Sequence, residues 1–172
     1  MKSSTHSSSL NIYTAKFFRR FPQLITFARF FYKLTRPRFT VGVVGIVRND
    51  KNEYLLVEHV FHPRTPWGFP GGWLDRDEEP AKGVAREIQE ELELTVEVGP
   101  LLLLERPFKD HLDIAYLCYT QHEVGKLSSE LLSYRWHTLE DMPPLMAFQQ
   151  KAFQNALNIA SQVQWTSPSW HR

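Results

Sequence analysis

The spacing of apolar residues along the chain predicts several short strands, an internal helix and a closing helix. Alternating or β-branched runs predict strands at residues 39–48, 53–60, 95–105, 112–121 and 134–137, with a break in the third at Gly99-Pro100. Apolar residues three and four apart predict one helix that begins near Pro80 and another over residues 145–163, with Phe148, Ala152, Phe153, Leu157 and Ala160 on one face. Residues 138–144 predict a single helical turn. This order is typical of a mixed α and β domain.

A Phe-rich extension precedes this domain. Pro22 divides the stretch from Tyr13 to Thr35 into a short helix and a longer one that starts at the proline. In the longer helix, apolar residues recur at helical spacing at Leu24, Phe27, Phe31 and Leu34. We therefore predict a helical N-terminal extension over residues 1–38, a domain over residues 39–165 and a tail over residues 166–172.

Charge is distributed unevenly along the 172 residues, although the formal net charge is only +1. Residues 1–39 contain eight Lys or Arg and no Asp or Glu, so the remainder holds 12 of the 20 basic residues and all 19 acidic ones. Three interpretations fit this basic, aromatic arm: a helical arm packed on the domain or on a second subunit of a homodimer, a helix lying on an anionic membrane, or an organellar targeting peptide. Nucleic-acid binding is suggested by the arm alone, and we do not expect it.

A single cysteine, Cys118, excludes an internal disulfide bond. It lies in a strand-like run, where a small buried hydrophobic residue is favoured over a nucleophile. No uninterrupted apolar run approaches the roughly 20 residues that span a bilayer. We therefore predict a cytoplasmic protein, with peripheral membrane contact through residues 13–38 as the alternative.

An acidic cluster lies within the segment from Gly72 to Leu94, GWLDRDEEPAKGVAREIQEELEL. At about 100° per residue on a helix, Glu87, Glu90 and Glu91 share one side, at roughly 0°, 300° and 40°. Beside them, at roughly 60° to 160°, lies an apolar stripe formed by Val84, Ala85, Ile88 and Leu92. Gly83, near 320°, is expected to leave the acidic side open to a bulky group.

Clustered carboxylates repel one another, and each like-charged pair costs a few tenths of a kcal/mol on a helix. A hard divalent cation such as Mg²⁺ offsets this cost, because it prefers carboxylate oxygens and shares its remaining positions with waters and substrate phosphates. Arg86 lies four residues before Glu90, where its guanidinium can orient a carboxylate. A solvated acidic helix face is the alternative interpretation of the cluster.

The same segment resembles the signature of the Nudix hydrolases. That box requires Gly, five residues, Glu, seven residues, Arg-Glu, an aliphatic residue, any residue, Glu-Glu, any residue, Gly and an aliphatic residue. The required positions are occupied by Gly72, Glu78, Arg86-Glu87, Ile88, Glu90-Glu91 and Leu94, and Phe69-Pro70-Gly71 also looks like the family's lead-in. The last Gly of the box is replaced by Glu93, where a left-handed helix end is common. We interpret Glu93 as a change in how the helix ends and not as a further ligand.

The resemblance implies a Nudix-type α-β-α sandwich with a mixed central sheet, and hydrolysis of a nucleoside diphosphate linked to another group. It implies Mg²⁺, with Mn²⁺ as a substitute, on Glu87, Glu90, Glu91 and the backbone carbonyl of Gly71. Arg86 would orient the carboxylates. Glu90 or Glu91 would also be the general base, with outside candidates at Asp110, Glu123 and Glu130.

Two further roles follow from the resemblance, and the candidates for substrate binding follow from side-chain chemistry. Gly72 and Glu78 would have structural roles, Glu78 by steadying the loop–helix junction or by holding an outer metal. Candidates to stack on a base are Trp67, Phe69, Phe61 and Phe108, each with core packing as the alternative, and candidates to bind phosphate are Arg64 and Arg106. The marks of the ADP-ribose, dinucleoside polyphosphate and coenzyme A subfamilies are absent or incomplete, so the substrate stays open.

Other functions on the same fold are weighed against hydrolysis. An isomerase of isoprenoid diphosphates would use Cys plus Glu, whereas Cys118 lies in a strand. A catalytically weak nucleotide-binding domain that acts as a sensor or regulator usually loses box carboxylates, whereas all three are present. A membrane-associated diphosphate hydrolase is the remaining alternative, and it depends on the basic arm.

Overall fold

The computed structural model describes residue 20 and residues 22–35, 38–60 and 64–162. The chain divides into two compact units, Met1–Arg38 and Phe39–Arg172. The predicted short helix after Tyr13, the tail and Phe61 lie outside the described residues.

In the first unit, helix α1 spans Pro22–Thr35. This confirms the predicted start at Pro22. The fixed φ of proline and its missing N–H suit the first turn of a helix. At the other end the hydroxyl of Thr35 donates to the carbonyl oxygen of Tyr32 at 3.0 Å. Among the described residues, no helix is both long and apolar enough to cross a membrane.

A seven-stranded mixed sheet forms the centre of the second unit. Its strands are β1 (Thr40–Arg48), β2 (Tyr54–His59), β3 (Trp67–Gly68), β4 (Gly71–Trp73), β5 (Glu97–Glu105), β6 (His111–Tyr119) and β7 (Leu131–His137). The order is β3-β2-β1-β6-β5, with β4 paired to β1 and β7 paired to β2. β1 and β6 run parallel, and the other pairs are antiparallel. The described residues of this unit also form helices α2 (Pro80–Leu92) and α3 (Ala147–Gln162).

The two helices cover opposite faces of the sheet, which confirms the predicted mixed α-β-α sandwich. On one face, α2 packs into an apolar cluster that contains Val43, Val47, Leu55, Val57, Val84, Ile88 and Leu92. On the other, α3 packs into a second cluster that contains Ile46, Leu56, Phe69, Leu117, Phe148, Ala152 and Phe153. A Cβ on Gly45 would lie 2.6 Å from Cδ1 of Ile88, so the glycine allows α2 to approach β1 closely.

Several sequence-based boundaries are wrong. β5 is continuous through Gly99-Pro100, where a break was predicted, but its pairing with β6 is irregular at that point, with register shifts between Val98 and Leu103. A register shift suits a proline, which has no N–H for the strand ladder. β7 begins at Leu131 and not at Tyr134. Residues 138–144 contain a turn and no helix.

Helix α2 ends at Leu92, and Glu93 follows in the left-handed conformation with φ 47° and ψ 35°. Its N–H donates to the carbonyl of Gln89 at 3.0 Å, and its Oε2 accepts the N–H of Lys126 at 3.2 Å. The prediction that Glu93 changes how the helix ends is therefore wrong. The helix keeps the left-handed ending, although glycine is absent. The side chain binds the backbone of a neighbouring loop.

We expect Glu93→Gly to raise the free energy of unfolding by about 0.5 kcal/mol, since release of left-handed strain outweighs the loss of one exposed hydrogen bond. Glu93→Ala is the control, because it keeps the strain and loses the bond to Lys126, so it should be less stable than the parent. Urea unfolding of the three proteins measures the difference. A Glu93→Gly protein no more stable than Glu93→Ala would contradict this account.

Candidate active site

Helix α2 presents its acidic side to the loop that precedes it. Pro80 occupies the first helical turn, and the predicted apolar stripe is fully buried at Val84, Ile88 and Leu92. The expectation that Gly83 leaves the acidic side open is wrong. A Cβ there would lie 2.5 Å from Cδ1 of Leu74 and 3.0 Å from Oε2 of Glu78, so the loop itself fills that space.

Arg86 connects the loop to the helix through five hydrogen bonds. Its Nε and Nη2 each donate to one carboxylate oxygen of Glu78 at 2.9 Å. Its Nη1 donates to Glu87 at 2.9 Å and to Glu90 at 3.1 Å. Its Nη2 also donates to the carbonyl oxygen of Trp73 at 3.1 Å. One guanidinium therefore gathers three carboxylates and the end of β4.

Glu78 is the strongest partner of Arg86. The hydrogen bonds from Arg86 and, as a smaller cause, the backbone N–H of Asp75 at 3.0 Å together lower the pKa of Glu78 to about 2. The same contact with Glu78 is the largest cause that raises the pKa of Arg86. Glu78 is thus ionised at neutral pH, and it lies at the junction between loop and helix.

Glu87 lies directly against Gly72. A Cβ on Gly72 would be 2.4 Å from Oε2 of Glu87, so a larger residue would displace the carboxylate. Burial raises the pKa of Glu87, and the hydrogen bond from Arg86 opposes that rise. Gly72 therefore provides the space that this carboxylate occupies.

Glu91 is buried, with 6% of its surface exposed. Burial raises its pKa to about 8, against a lowering by the backbone N–H of Gly71, which donates to Oε2 at 3.0 Å. The charges of Glu87 and Glu130 raise it as well. In the described part of the chain no ion pair involves Glu91. A cation beside it would supply the missing countercharge.

The donor set of Glu87, Glu90 and Glu91 fits a hard divalent cation, because carboxylate oxygens are the ligands that Mg²⁺ and Mn²⁺ prefer. In the structure, Arg86 binds the first two and Gly71 binds the third. Within the described ranges, no three His, Cys, Asp or Glu side chains converge closely enough to hold a metal ion. The three carboxylates share one side of α2 without converging on one point, and their assignment to a metal stays a prediction.

The aromatic residues predicted to stack on a base differ in accessibility. Phe69 is 1% exposed and packs in the core with its ring 5.6 Å from that of Phe153, so its predicted role in stacking is corrected. Trp67 is half-buried, meets the ring of His137 edge-on at 5.8 Å and lies under the guanidinium of Arg135 at 5.9 Å. Side-chain packing therefore accounts for the position of Trp67 as well.

The two predicted phosphate-binding residues, Arg64 and Arg106, are exposed on loops. Among the described residues, no ion pair joins either one to the carboxylates around Arg86. Their predicted roles in binding phosphate therefore stay predictions.

Trp73 is a candidate that sequence reasoning missed. It is 61% exposed, and its own carbonyl accepts a hydrogen bond from Arg86. Its ring meets the edge of His111 at 5.2 Å, while Phe108, also 61% exposed, stacks on His111 at 4.6 Å and 11°. We name Trp73, Phe108 and His111 the aromatic platform. The available signal was a tryptophan directly after the two glycines of the lead-in.

His111 gives the platform a fixed centre. Its side chain is 6% exposed, Nδ1 lies 2.8 Å from the hydroxyl of Thr40, and Nε2 lies 2.9 Å from Oδ1 of Asp113. A Cβ on Gly42 would lie 2.4 Å from the same Oδ1, so the glycine makes room for the pair. Both ring nitrogens are engaged, and the ring is held in one orientation.

The outside candidates for the general base occupy different places. Asp110 has a left-handed backbone with φ 57°, and its carbonyl accepts the N–H of Thr40. Glu123 is exposed. Glu130 lies close enough to Glu91 for its charge to raise the pKa of that carboxyl. Of the three, the structure brings Glu130 to the acidic cluster.

Cys118 is fully buried, which confirms the prediction of a small hydrophobic core residue. Burial raises the pKa of its thiol to about 12. A thiol in that state is not a nucleophile at neutral pH. This excludes the Cys-dependent isomerase interpretation.

Comparisons with known proteins agree with this architecture. A family model described as the NUDIX domain matches residues 37–156. A MutT-like protein of Streptomyces ambofaciens is 30% identical over 112 residues, which cover 64% of this chain and 71% of that protein. The 8-oxo-dGTP diphosphatase of Escherichia coli (strain K12) is 31% identical over 110 residues, which cover 59% of this chain and 85% of that protein. The solved structure of the MutT protein from Methanosarcina mazei Go1 is 29% identical with a TM-score of 0.58, and the match covers 72% of this chain and 97% of that one.

Proposed function

Because the chain belongs to the Nudix family of pyrophosphohydrolases, we propose that it hydrolyses, with Mg²⁺, the bond between two phosphates of a nucleoside diphosphate linked to another group. NDP-sugars, nucleoside triphosphates and related nucleotides all contain this bond. The observation that carries the proposal is the cluster in which Arg86 binds Glu78, Glu87 and Glu90 beside the buried Glu91.

The proposed ligands of the cation are Glu87, Glu90, Glu91 and the carbonyl of Gly71. Their hard oxygen atoms suit Mg²⁺, and Mn²⁺ accepts the same donors. When bound, the cation neutralises charge on phosphate oxygens and lowers the pKa of water. The buried Glu91, which no cationic side chain pairs among the described residues, is the strongest support for this placement.

Side chains of the acidic cluster position the proposed ligands and accept the proton. Arg86 positions Glu87 and Glu90, and Glu78 fixes Arg86 through two hydrogen bonds. Glu91 is our first candidate for the group that takes a proton from the attacking water, because it is the buried carboxyl of the cluster and lies in no ion pair among the described residues. Glu90 is the second candidate within the cluster.

We further propose that the aromatic platform contacts the group attached to the pyrophosphate. Trp73 supports this placement because its backbone binds Arg86 while its ring is exposed. The ring of His111, held by Thr40 and Asp113, gives it a rigid backing. Exposed aromatic rings bind planar groups such as nucleobases by stacking.

For the preferred substrate, Trp73→Ala should raise KM about tenfold with little change in kcat, because stacking on one ring contributes about 1–3 kcal/mol. Leu132→Ala is the matched control, since Leu132 is 63% exposed but lies on β7. Steady-state kinetics of both variants measure the effect. An unchanged KM in Trp73→Ala would remove the platform from the substrate site.

The proposed activity is tested with a panel of NDP-sugars, nucleoside triphosphates, dinucleoside polyphosphates and coenzyme A. Each is incubated with Mg²⁺, with Mn²⁺ or with EDTA, and phosphate-containing products are followed. We expect turnover of at least one class with a metal and none with EDTA. Metal-dependent binding of a nucleotide without turnover of any compound would favour a sensor and refute the hydrolase.

A further inference from the structure

Helix α1 exposes an unusual amount of aromatic surface. Phe27 is 64% exposed, Phe30 58%, Phe31 52% and Tyr32 57%. Burying each such side chain would contribute roughly 1.5–3 kcal/mol, so a helix that leaves four of them exposed has a large unused apolar surface. Single exposed hydrophobic residues are common, whereas a contiguous group of them marks a contact surface.

Three of these rings form one face. The ring of Phe31 lies 5.0 Å from that of Phe27 and 6.0 Å from that of Phe30. Residues three and four apart share a helix face. At about 100° per residue, Arg29 is roughly 200° from Phe27 and therefore lies on the other side of the helix. The three Phe rings and Arg29 therefore lie on different sides of α1.

The charge of the surrounding sequence favours an anionic partner. The eight Lys or Arg of residues 1–39 are accompanied by no Asp or Glu. Among the described residues of this segment, Arg20, Arg29 and Arg38 are exposed. The rest of the chain has 12 basic and 19 acidic residues, a net charge of −7, so attraction to an anionic surface is confined to the extension.

We propose that α1 binds the surface of an anionic lipid bilayer, with Phe27, Phe30 and Phe31 at the boundary between head groups and acyl chains. A helix of 14 residues is about 21 Å long, which is too short to span the hydrocarbon region but sufficient to lie within the interface. Basic residues near the membrane add about 1 kcal/mol each through lipid phosphates. Bulky aromatic residues opposite basic ones are typical of such helices.

Lipid fits this surface better than a second copy of the chain does. A protein partner for α1 would have to offer an apolar groove rimmed by acidic residues, whereas a bilayer offers both properties to any helix that lies flat on it. Phenylalanine is among the residues that bury the apolar face of an interfacial helix at the boundary between head groups and acyl chains. Self-association is therefore retained as an outcome of the experiment.

The experiment uses the full chain and vesicles of phosphatidylcholine with or without phosphatidylglycerol, separated by flotation. We expect recovery with the anionic vesicles, little with the neutral ones, and release by salt. The combined variant Phe27→Ser, Phe30→Ser and Phe31→Ser should weaken binding at least tenfold. A second variant, in which Arg20, Arg29 and Arg38 are each changed to Gln, should weaken it without altering the aromatic face.

The matched control changes Leu104, Leu132 and Leu139 to Ser, because these residues are 54%, 63% and 52% exposed and lie in the second unit. Its binding should equal that of the parent, and circular dichroism verifies the fold of each variant. The proposal would be overturned if the parent protein did not float with vesicles, or if it floated equally well with neutral and anionic vesicles. It would also be overturned if the combined Phe→Ser variant floated as well as the parent. A combined Phe→Ser variant that changed the oligomeric state in sedimentation but not the binding to vesicles would likewise overturn it.

Discussion

Glu91→Gln is expected to lower kcat by about 10²- to 10⁴-fold, the range that removal of a catalytic proton acceptor or ligand produces. The amide keeps the size of the side chain and an oxygen that can accept the N–H of Gly71. The loss of activity should therefore come from the missing negative charge and not from a changed fold. Steady-state kinetics with saturating Mg²⁺ measure it.

The same variant should have a distinctive effect on stability without added metal. The pKa of Glu91 is raised from 4.5 to about 8 in the folded protein. Between those values the unfolded chain loses the proton while the folded chain keeps it, so the free energy of unfolding falls as pH rises through this window. Glutamine does not titrate, so Glu91→Gln should become progressively more stable than the parent and keep that advantage above the window. Urea unfolding below, within and above the window tests this sign.

Glu90→Gln provides the matched control within the cluster. The Glu90 side chain is 60% exposed and Glu91 is buried, although both are proposed ligands. Glu90→Gln should therefore lose activity by orders of magnitude with little change in the free energy of unfolding at neutral pH. Full metal-dependent activity in either variant would refute the ligand assignment. Retained activity in Glu91→Gln, together with its loss in Glu130→Gln, would move the proton acceptor to Glu130.

The acidic side of α2 could be predicted from the sequence because helical spacing alone determines it. Glu87, Glu90 and Glu91 are one to four residues apart, so their side follows from 3.6 residues per turn. The buried stripe beside them follows from the same rule, and it is confirmed at Ile88. Local geometry also placed Arg86 within reach of Glu90.

Long-range packing explains what the sequence could not reveal. Phe69 lies in a lead-in segment where an aromatic ring could face either a ligand or the core, and its contact with Phe153 on α3 buries it. The platform depends on three residues from β4, β6 and the loop before β6, which only the pairing of these strands with β1 brings together. The strands β3 and β4 are too short for a periodic pattern.

The interior of the site also combines local and distant contacts. The hydrogen bond from Arg86 to Glu78 joins residues eight positions apart, on the helix and on the loop before it, so helical spacing does not predict it. Nor does spacing predict that Leu74 and Glu78 fill the space beside Gly83. The loop folds back onto the helix because Glu78 binds both Arg86 and the backbone N–H of Asp75. These contacts make Arg86 the residue that holds Glu78, Glu87 and Glu90 together.

Arg86→Lys should lower kcat/KM by about 10- to 100-fold, the cost of losing a residue that orients metal ligands. Lysine keeps the charge, but one ammonium group cannot reproduce five hydrogen bonds to four residues. Glu87 and Glu90 would then lose their common anchor. Measured affinity for Mn²⁺ should fall together with activity, whereas damage confined to substrate binding would leave metal affinity unchanged.

Acid titration distinguishes the anchor role of Arg86 from a general loss of structure. Its hydrogen bonds are the largest cause that lowers the pKa of Glu78 from 4.5 to about 2, before the backbone N–H of Asp75. The stability they provide is therefore present above pH 4.5 and is lost as pH falls through about 2. Arg86→Lys should flatten this acid-dependent loss, and Glu78→Gln should abolish the same part of it. Combining the two substitutions should add little to either one, because both remove one interaction. Fully additive effects of the two substitutions on activity and acid stability would show that Arg86 does not act through Glu78.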